Sequence, residues 1–181
     1  MEIKNILLTG EIKVGKSTII NKLIEKYFNE SNISGFKTLP FPEDGELKGY
    51  YIEGQSEKGI EPSIDNIVGK VLEKENRCYG IEDTFENRGV DILDNALTTK
   101  SDLILLDELG FFENNSENFK KSVIEVFENQ TRVIGVLKKK DTDFLKSIKS
   151  REDILVIEVT KDNRDSIEEK IRDYWKLEIL Q

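Results

Sequence analysis

Short apolar runs alternate with amphipathic stretches along most of this chain. The run from Ile3 to Thr9 is rich in Ile and Leu and ends at a glycine, as a strand buried on both faces of a parallel sheet would. From Lys16 to Phe28 the apolar residues recur at helical spacing, which predicts a helix soon after that glycine. A buried strand and an amphipathic helix are therefore expected at the start of the chain.

The same alternation continues in the second half of the chain. Three apolar strands are predicted, with the sequences SDLILLDELG, TRVIGVL and ILVIEVT. Helices are predicted in EDTFENRGVDILDNALTTK and over Glu117 to Asn129, Thr142 to Lys149 and Arg164 to Tyr174. Strands that alternate with helices in this way indicate an α/β fold with a mainly parallel central sheet flanked by helices.

A β-hairpin is predicted after the first helix. The segments ISGFKTLPF and KGYYIEG carry aromatic residues and are separated by a turn containing Asp44-Gly45, a strong hairpin signal. Pro40 and Pro42 cannot donate to a ladder, so the tip of this hairpin is expected at a sheet edge. From Gln55 to Gly80 the pattern is weak, and we expect short strands and loops.

Length, charge and cysteine content limit the number of domains, the binding partners and the cellular location expected for the protein. A length of 181 residues suits a single domain spanning residues 1–181. The chain has 36 acidic and 27 basic residues, and this net charge of −9 disfavours broad binding to nucleic acid. Cys78 has no second cysteine to pair with, and the N-terminus lacks the pattern of a signal peptide. We expect a cytoplasmic protein without a membrane partner.

The absence of histidine excludes several kinds of active site. Serine and cysteine hydrolase sites that rely on a histidine base are impossible, and so is an H-E-x-x-H zinc site. Catalysis is left to carboxylates, lysines, hydroxyl groups and bound metal.

The sequence GEIKVGKST has the spacing of a phosphate-binding loop, G-x-x-x-x-G-K-[ST]. In such a loop the backbone N–H groups point at the phosphates, the lysine reaches the β and γ phosphates, and the next hydroxyl ligates Mg²⁺. Lys16 and Ser17 take these two roles. The predicted nucleotide-binding residues are Gly10, Glu11, Ile12, Lys13, Val14, Gly15, Lys16, Ser17 and Thr18.

A second chemical motif, LILLDELG, ends another buried strand. The carboxyl ends of parallel strands are where open α/β sheets bind ligands, so Asp107 is expected to join Ser17 in holding Mg²⁺. Glu108 is expected to act as the general base that prepares a water for attack on the γ phosphate. The alternative is that both carboxylates merely end a strand.

Taken together, these motifs resemble one family. The segments GEIKVGKST, SGFKT, CYGIEDTFENRGVDILDNAL, SDLILLDELGFFENNSENF and VTKDNRD are similar, in this order, to the small P-loop nucleoside-triphosphatases known from thermophiles and from the human cancer-related enzyme. The resemblance covers almost the whole chain. It implies a P-loop NTPase fold and Mg²⁺-dependent hydrolysis of nucleoside 5′-triphosphates, with loose preference for the base.

The chain also departs from that family in its charges. Ile12 and Lys13 stand where relatives usually have proline and glycine, and Phe111 and Phe112 stand where they often have Lys-Met. Several positive charges near the expected substrate mouth are therefore missing. The ammonium of Lys13 is expected either to extend into water or to lean over the γ phosphate.

Other candidate residues have two interpretations each. Asn163 and Arg164 follow the last strand and could contact the base or a phosphate, or could cap a helix and form a surface ion pair. Any of three arginines could serve as an arginine finger or remain solvated. The lysine run after VIGVL could supply positive charge to the site or form a solvated turn. These candidates are Arg77, Arg88, Arg132 and Lys138 to Lys140.

Three functions fit this sequence. The first is hydrolysis of nucleoside triphosphates, with Lys16 and Glu108 as the catalytic residues. The second is a nucleoside or nucleotide kinase that uses the same phosphate loop, although the sequence has no legible acceptor pocket or arginine-rich lid. The third is a nucleotide-binding accessory protein or switch with negligible turnover. The sequence leaves the oligomeric state open, with a monomer favoured.

Overall fold

The computed structural model describes residues 3–72 and 77–178. Within these residues, eight strands form one sheet: β1 (Asn5–Gly10), β2 (Ile33–Glu43), β3 (Glu46–Gly54), β4 (Ile67–Leu72), β5 (Arg77–Gly80), β6 (Leu103–Leu109), β7 (Arg132–Leu137) and β8 (Ile154–Val159). The helices are α1 (Lys16–Tyr27), α2 (Glu82–Thr84), α3 (Val90–Thr98), α4 (Glu117–Glu128), α5 (Asp143–Lys149) and α6 (Arg164–Trp175). The predicted α/β fold with flanking helices is confirmed.

The strand order determines where the site forms. The order across the sheet is β5-β4-β3-β2-β6-β7-β1-β8. The pairs from β2 through β6, β7 and β1 to β8 are parallel, and β2 to β5 are antiparallel. Strand β7 therefore lies between β1, which leads into the phosphate loop, and β6, which carries the two carboxylates. The carboxyl ends of all three strands meet at one edge of the sheet.

Both faces of the parallel part of the sheet are buried. In β1, Leu7 packs into one hydrophobic core, whereas Ile6 and Leu8 pack into the other. Alternate residues of a strand point to opposite faces, and apolar residues at every position therefore serve both cores. Helices α3, α4 and α5 cover one face, and α1 and α6 cover the other. The continuous apolar runs in the sequence reflect this double burial.

The predicted hairpin is present and extends the sheet. Strands β2 and β3 pair from Phe36 with Gly54 to Glu43 with Glu46, around the turn at Asp44 and Gly45. The pairing of β2 with β6 ends at Lys37 with Asp107. In the described part of the chain, the later residues of β2, Pro40 and Pro42 among them, pair only with β3, as expected for prolines at an edge.

The weakly patterned region contributes two further strands. Strands β4 and β5 continue the antiparallel part of the sheet beyond β3, and both belong to the region where only short strands and loops were expected. The residues between them, 73–76, lie outside the described part of the chain.

The helix predicted in EDTFENRGVDILDNALTTK is present but irregular. Residues Phe85–Gly89 form one wide π-helical turn between α2 and α3. Gly89 faces the ring of Phe119, and a Cβ at this position would lie 2.7 Å from a ring carbon. This close approach of α4 depends on the tertiary packing, and the helical pattern of the sequence does not reveal it. Among residues 3–72 and 77–178, no helix combines the length and apolar character needed to cross a membrane.

Candidate nucleotide-binding site

The phosphate loop connects the end of β1 to the first turn of α1. It contains two glycines with positive φ, Gly10 at 135° and Gly15 at 111°. A Cβ on Gly10 would lie 2.4 Å from the carbonyl oxygen of Val159, so only glycine fits beside β8 there. Gly15 immediately precedes α1 and offers no side chain to cap it, so the first N–H groups of that helix lack a side-chain partner, and such groups bind anions.

The ammonium of Lys16 lies inside the loop. Its Nζ donates hydrogen bonds to the carbonyl oxygens of Gly10, at 3.0 Å, and Glu11, at 2.8 Å. The residue is only 9% exposed, and burial lowers the pKa of Lys16, against the opposing effect of Glu108 and Asp107. The loop thus holds a positive charge at the place where an anion would enter.

The side chains between the two glycines point in different directions. Val14 is buried in the core beneath α1. Ile12 is 79% exposed, and Lys13 is also exposed with a φ of 61°. Left-handed backbone costs a non-glycine residue about 1 kcal/mol, so the loop contains a strained lysine at this position.

Asp107 and Ser17 meet across the sheet edge. The Ser17 side chain lies close enough to the Asp107 carboxylate to lower its pKa. Burial raises the pKa of Asp107 to about 6, and the charge of Glu108 adds to this rise, whereas Ser17 and the lysines 16 and 37 oppose it. Two side-chain oxygens therefore lie together beside the phosphate loop.

Glu108 and the phosphate loop line one cleft. A cleft of about 500 Å³ is lined by the loop residues Gly10 to Lys13 and Gly15 to Thr18, and by Tyr50, Glu108, Lys138, Lys139 and Lys140. Nζ of Lys138 is 2.7 Å from the Glu108 carboxylate. Lys139 pairs instead with Glu11 and Glu158, at 3.3 and 3.0 Å. The lysine run therefore belongs to this cleft and is not a solvated turn remote from it.

The sequence assigns no role to two polar residues that lie near the carboxylates. Tyr50, on β3, lines the cleft, and its ring centroid is 5.4 Å from that of Phe112. Glu113 is only 2% exposed and accepts a hydrogen bond from the Gly110 N–H at 2.5 Å. The pattern of the strand does not identify Tyr50 as a site residue, because only the folded sheet brings the hairpin to the cleft. Glu113 belongs to the segment SDLILLDELGFFENNSENF that carries the family resemblance, but that segment does not reveal its burial.

Of the two candidate residues after β8, only Arg164 lies beside the phosphate loop. The Asn163 side chain is used within its own turn: its Oδ1 accepts from the Thr160 N–H, and its Nδ2 donates to the Glu158 carbonyl. It therefore does not cap α6 with its side chain. Arg164 is half exposed and lines a second cavity, of about 520 Å³, together with Lys13, Gly15 and Thr18 of the phosphate loop. Arg164 is thus beside the loop, whereas the amide of Asn163 is engaged by Thr160 and Glu158.

The three candidate arginines lie elsewhere. Arg88 forms an ion pair with Glu57. Arg132 donates to the Trp175 carbonyl, and its guanidinium lies 5.8 Å from the Trp175 ring. Among residues 3–72 and 77–178, neither of these arginines nor Arg77 lines the cleft. The positive charges that do line it are lysines.

The fold and the loop define a class: an α/β protein with a P-loop NTPase fold. Comparisons with known proteins place it within that class. A family model described as NTPase matches residues 5–172, and the chain therefore belongs to this NTPase family. The chain is 34% identical over 167 residues to the nucleoside-triphosphatase THEP1 of Thermotoga sp. strain RQ2, and the match covers 90% of each protein.

More distant relatives agree with this assignment. The cancer-related nucleoside-triphosphatase homolog of Mus musculus is 28% identical over 177 residues, covering 91% of this chain and 92% of the mouse protein. The crystal structure of THEP1 from Aquifex aeolicus superposes with a TM-score of 0.69 at 25% identity, over 92% of this chain and 96% of that one. The resemblance read from the sequence motifs is confirmed.

Proposed function

We propose that this protein hydrolyses nucleoside 5′-triphosphates to nucleoside diphosphate and phosphate in a Mg²⁺-dependent reaction. The observation that carries the proposal is that Lys16, Ser17 and Glu108 line one cleft, with Asp107 beside Ser17. A phosphate-binding lysine, a pair of oxygens able to ligate a metal ion and a carboxylate that can serve as base are the groups that phosphoryl transfer to water needs. The names of the relatives, nucleoside-triphosphatases, support the same activity.

The proposed roles follow from position. The backbone N–H groups of the loop and the Lys16 ammonium bind the β and γ phosphates. The Glu108 carboxylate accepts a proton from a water molecule as its oxygen bonds to the γ phosphorus. The bond between the γ phosphorus and the bridging oxygen breaks, and the diphosphate leaves with that oxygen. Lys16 offsets the negative charge that develops on the transferred group.

Mg²⁺ fits the oxygens beside the loop. The Ser17 hydroxyl and the Asp107 carboxylate lie beside each other, and both are hard oxygen ligands of the kind that Mg²⁺ prefers. One or two protein oxygens suffice, because Mg²⁺ in such sites takes its remaining ligands from phosphates and water. Ser17 and Asp107 would hold the ion, which when bound neutralises charge on the β and γ phosphates.

We extend the proposal to a loose preference for the base. Beyond the loop, the second cavity is lined mainly by long charged side chains, including Lys13, Lys22 and Arg164. Arg164 is 50% exposed, and its Nε is 3.9 Å from the Asp165 carboxylate. Exposed, rotatable side chains of this kind can adapt to different base edges, whereas strict recognition needs fixed donors and acceptors.

The test is a phosphate-release assay with ATP, GTP, CTP and UTP, with Mg²⁺ or with EDTA and without any acceptor. The wild type should release phosphate from each nucleotide, only with Mg²⁺. Lys16→Ala and Glu108→Gln should each lower kcat by about 100-fold or more. Glu108→Gln should keep its affinity for a non-hydrolysable triphosphate analogue, because the amide removes the base and leaves the phosphate loop intact.

Two results would overturn the proposal. Phosphate transfer that occurs only when a nucleoside or nucleotide acceptor is added would identify a kinase. Tight nucleotide binding without release by the wild type, and no effect of Glu108→Gln, would identify a binding protein.

A further inference from the structure

We propose that Lys138 is a positioning residue for hydrolysis: its ammonium holds the Glu108 carboxylate in place at the mouth of the phosphate loop. The proposal rests on the proposed function, because it assigns Lys138 a role through the general base of that reaction. Lys138 should affect the rate of turnover, whereas the affinity for nucleotide depends on the phosphate loop.

The sheet topology places Lys138 between the two halves of the site. Strand β7 ends at Leu137 and lies between β1 and β6 in the sheet. The residue that follows β7 therefore emerges between the phosphate loop and the carboxylates. Its backbone is fixed there, since the Lys138 N–H donates to the Leu109 carbonyl at 2.8 Å. The anchor lies one residue after Glu108 on the neighbouring strand.

The side chain of Lys138 is held from two sides. Its Nζ is 2.7 Å from Oε1 of Glu108. The same Nζ lies 5.2 Å from the ring centroid of Phe111 and 5.6 Å from that of Phe112, within the range of cation–π attraction. Gly110 leaves room for the lysine stem, because a Cβ at that position would lie 3.2 Å from Cδ of Lys138.

The pair is shielded from water more than an ordinary surface pair. The side chains of Lys138 and Glu108 are 24% and 32% exposed. Exposed ion pairs contribute little, because solvent screens the charges and two flexible side chains must be ordered. Here the aromatic rings exclude part of the solvent and restrict the lysine. The pair therefore holds the carboxylate in one orientation more firmly than an exposed ion pair would.

The neighbouring lysines do not share this arrangement. Lys139 is 56% exposed and pairs with Glu11 and Glu158. Lys140 lies 5.2 Å from the Phe111 ring. Among the described residues, Lys138 alone forms a salt bridge with Glu108. Of the three lysines in the run, the geometry therefore points to Lys138 as the one that acts on the base.

Positioning matters to rate because a general base must lie within hydrogen-bond reach of the water it deprotonates. A displacement of about 1 Å in such a group can cost on the order of 100-fold in rate. Removing the ammonium should therefore lower kcat and leave the phosphate contacts of Lys16 and the loop unchanged. A purely structural lysine would instead lower thermal stability and affect binding and turnover together.

The test compares Lys138→Met, Lys138→Gln and Lys138→Arg in the phosphate-release assay with MgATP. Loss of the charge should lower kcat by about 10-fold or more, with KM and the dissociation constant of a non-hydrolysable analogue within about twofold of the wild type. Lys138→Arg, which keeps a cation, should recover most of the rate. Lys121→Met is the control, because it removes a surface pair with Glu125, at 3.8 Å on α4, away from the cleft. Thermal unfolding identifies any variant that fails to fold, and Lys138→Gln then replaces Lys138→Met.

A double variant separates positioning from direct action on the phosphate. If Lys138 acts through Glu108, adding Lys138→Met to Glu108→Gln should change the residual rate by less than about twofold. Full additivity would overturn the proposal, as would unchanged kcat in both charge-removing variants. An active wild type with unaffected Lys138 variants would sink this inference and leave the proposed function standing. A wild type that releases no phosphate would overturn both.

Discussion

The Ser17 side chain acts on the Asp107 carboxylate and opposes the rise in its pKa, and this interaction links the first turn of α1 to the end of β6. Strands β2 to β5 lie between α1 and β6 along the chain, yet the fold brings these two side-chain oxygens to one point. A hydroxyl and a carboxylate already side by side leave little rearrangement for the binding of a divalent cation.

From this interaction we expect Asp107→Asn to raise the Mg²⁺ requirement. The amide keeps the shape of the side chain but removes its charge, so half-maximal phosphate release should need about 10-fold more Mg²⁺ or higher. The measurement is a Mg²⁺ titration at saturating nucleotide. Asp94→Asn, at an exposed position of α3, is the control and should follow the wild-type curve. An unchanged titration in Asp107→Asn would remove Asp107 from the metal site.

The two loop glycines should differ in their tolerance of a methyl group. Both have positive φ, which costs alanine about 1–2 kcal/mol. Gly10→Ala also forces its Cβ to within 2.4 Å of the Val159 carbonyl, whereas the space around Gly15 is open. Gly10→Ala should therefore lower the free energy of unfolding by roughly 1–3 kcal/mol more than Gly15→Ala, as measured by urea denaturation. Equal losses would show that β8 moves aside without cost.

The strained backbone of Lys13 gives a prediction of the opposite sign. Lys13→Gly should raise the free energy of unfolding by about 1 kcal/mol, because glycine adopts a φ of 61° without a steric cost. Hydrolysis should change only mildly. Ile12→Gly is the matched control: Ile12 is not at a positive φ, so glycine there should be neutral or destabilising. A loss of hydrolysis in Lys13→Gly as large as that in Lys16→Ala would show that the loop uses two lysines.

Glu113 should make the protein less stable as pH rises. Burial raises the pKa of Glu113 to about 7, and Glu108 adds to this rise, whereas the Glu113 and Gly110 N–H groups and Lys138 oppose it. The folded protein then binds more protons than the unfolded chain between the ordinary carboxyl pKa, near 4.5, and about 7. The free energy of unfolding should fall across this window by an amount on the order of 2–3 kcal/mol.

The variant Glu113→Gln isolates that effect, since its amide oxygen can still accept the Gly110 N–H. Urea denaturation between pH 4.5 and 7.5 should give a smaller downward slope for the variant than for the wild type. Some slope should remain, because the pKa of Asp107 is also raised, to about 6, and acts in the same direction. Identical slopes in the two proteins would contradict the buried, protonated state of Glu113.

The alternation of apolar runs and amphipathic helices predicted most of the fold. Burial on both faces produces continuous apolar strands, and β1 and β6 were visible for that reason. The turn at Asp44 and Gly45 identified the hairpin by local chemistry alone. Strands β4 and β5 carry weak patterns, because their pairing in the antiparallel sheet, rather than their own sequence, stabilises them.

Some residues of the candidate site could also be predicted from the sequence, and others could not. The glycines, Lys16, Ser17 and the pair Asp107-Glu108 could be predicted, because phosphate and metal chemistry needs those residue types at fixed spacing. Tyr50 and the orientation of Lys138 toward Glu108 could not, since each depends on which strands become neighbours.

By itself, then, the sequence determined the phosphate loop, the carboxylate pair and the buried strands that carry them, because backbone conformation, ligand chemistry and apolar periodicity are local properties. Only the tertiary structure decided that β7 lies between β1 and β6 and that Lys138 therefore meets Glu108. It also decided that Glu113 is buried beside them. The physical reason is that strand order is set by packing between distant segments, and distances across a sheet edge are not encoded in any single stretch of the chain.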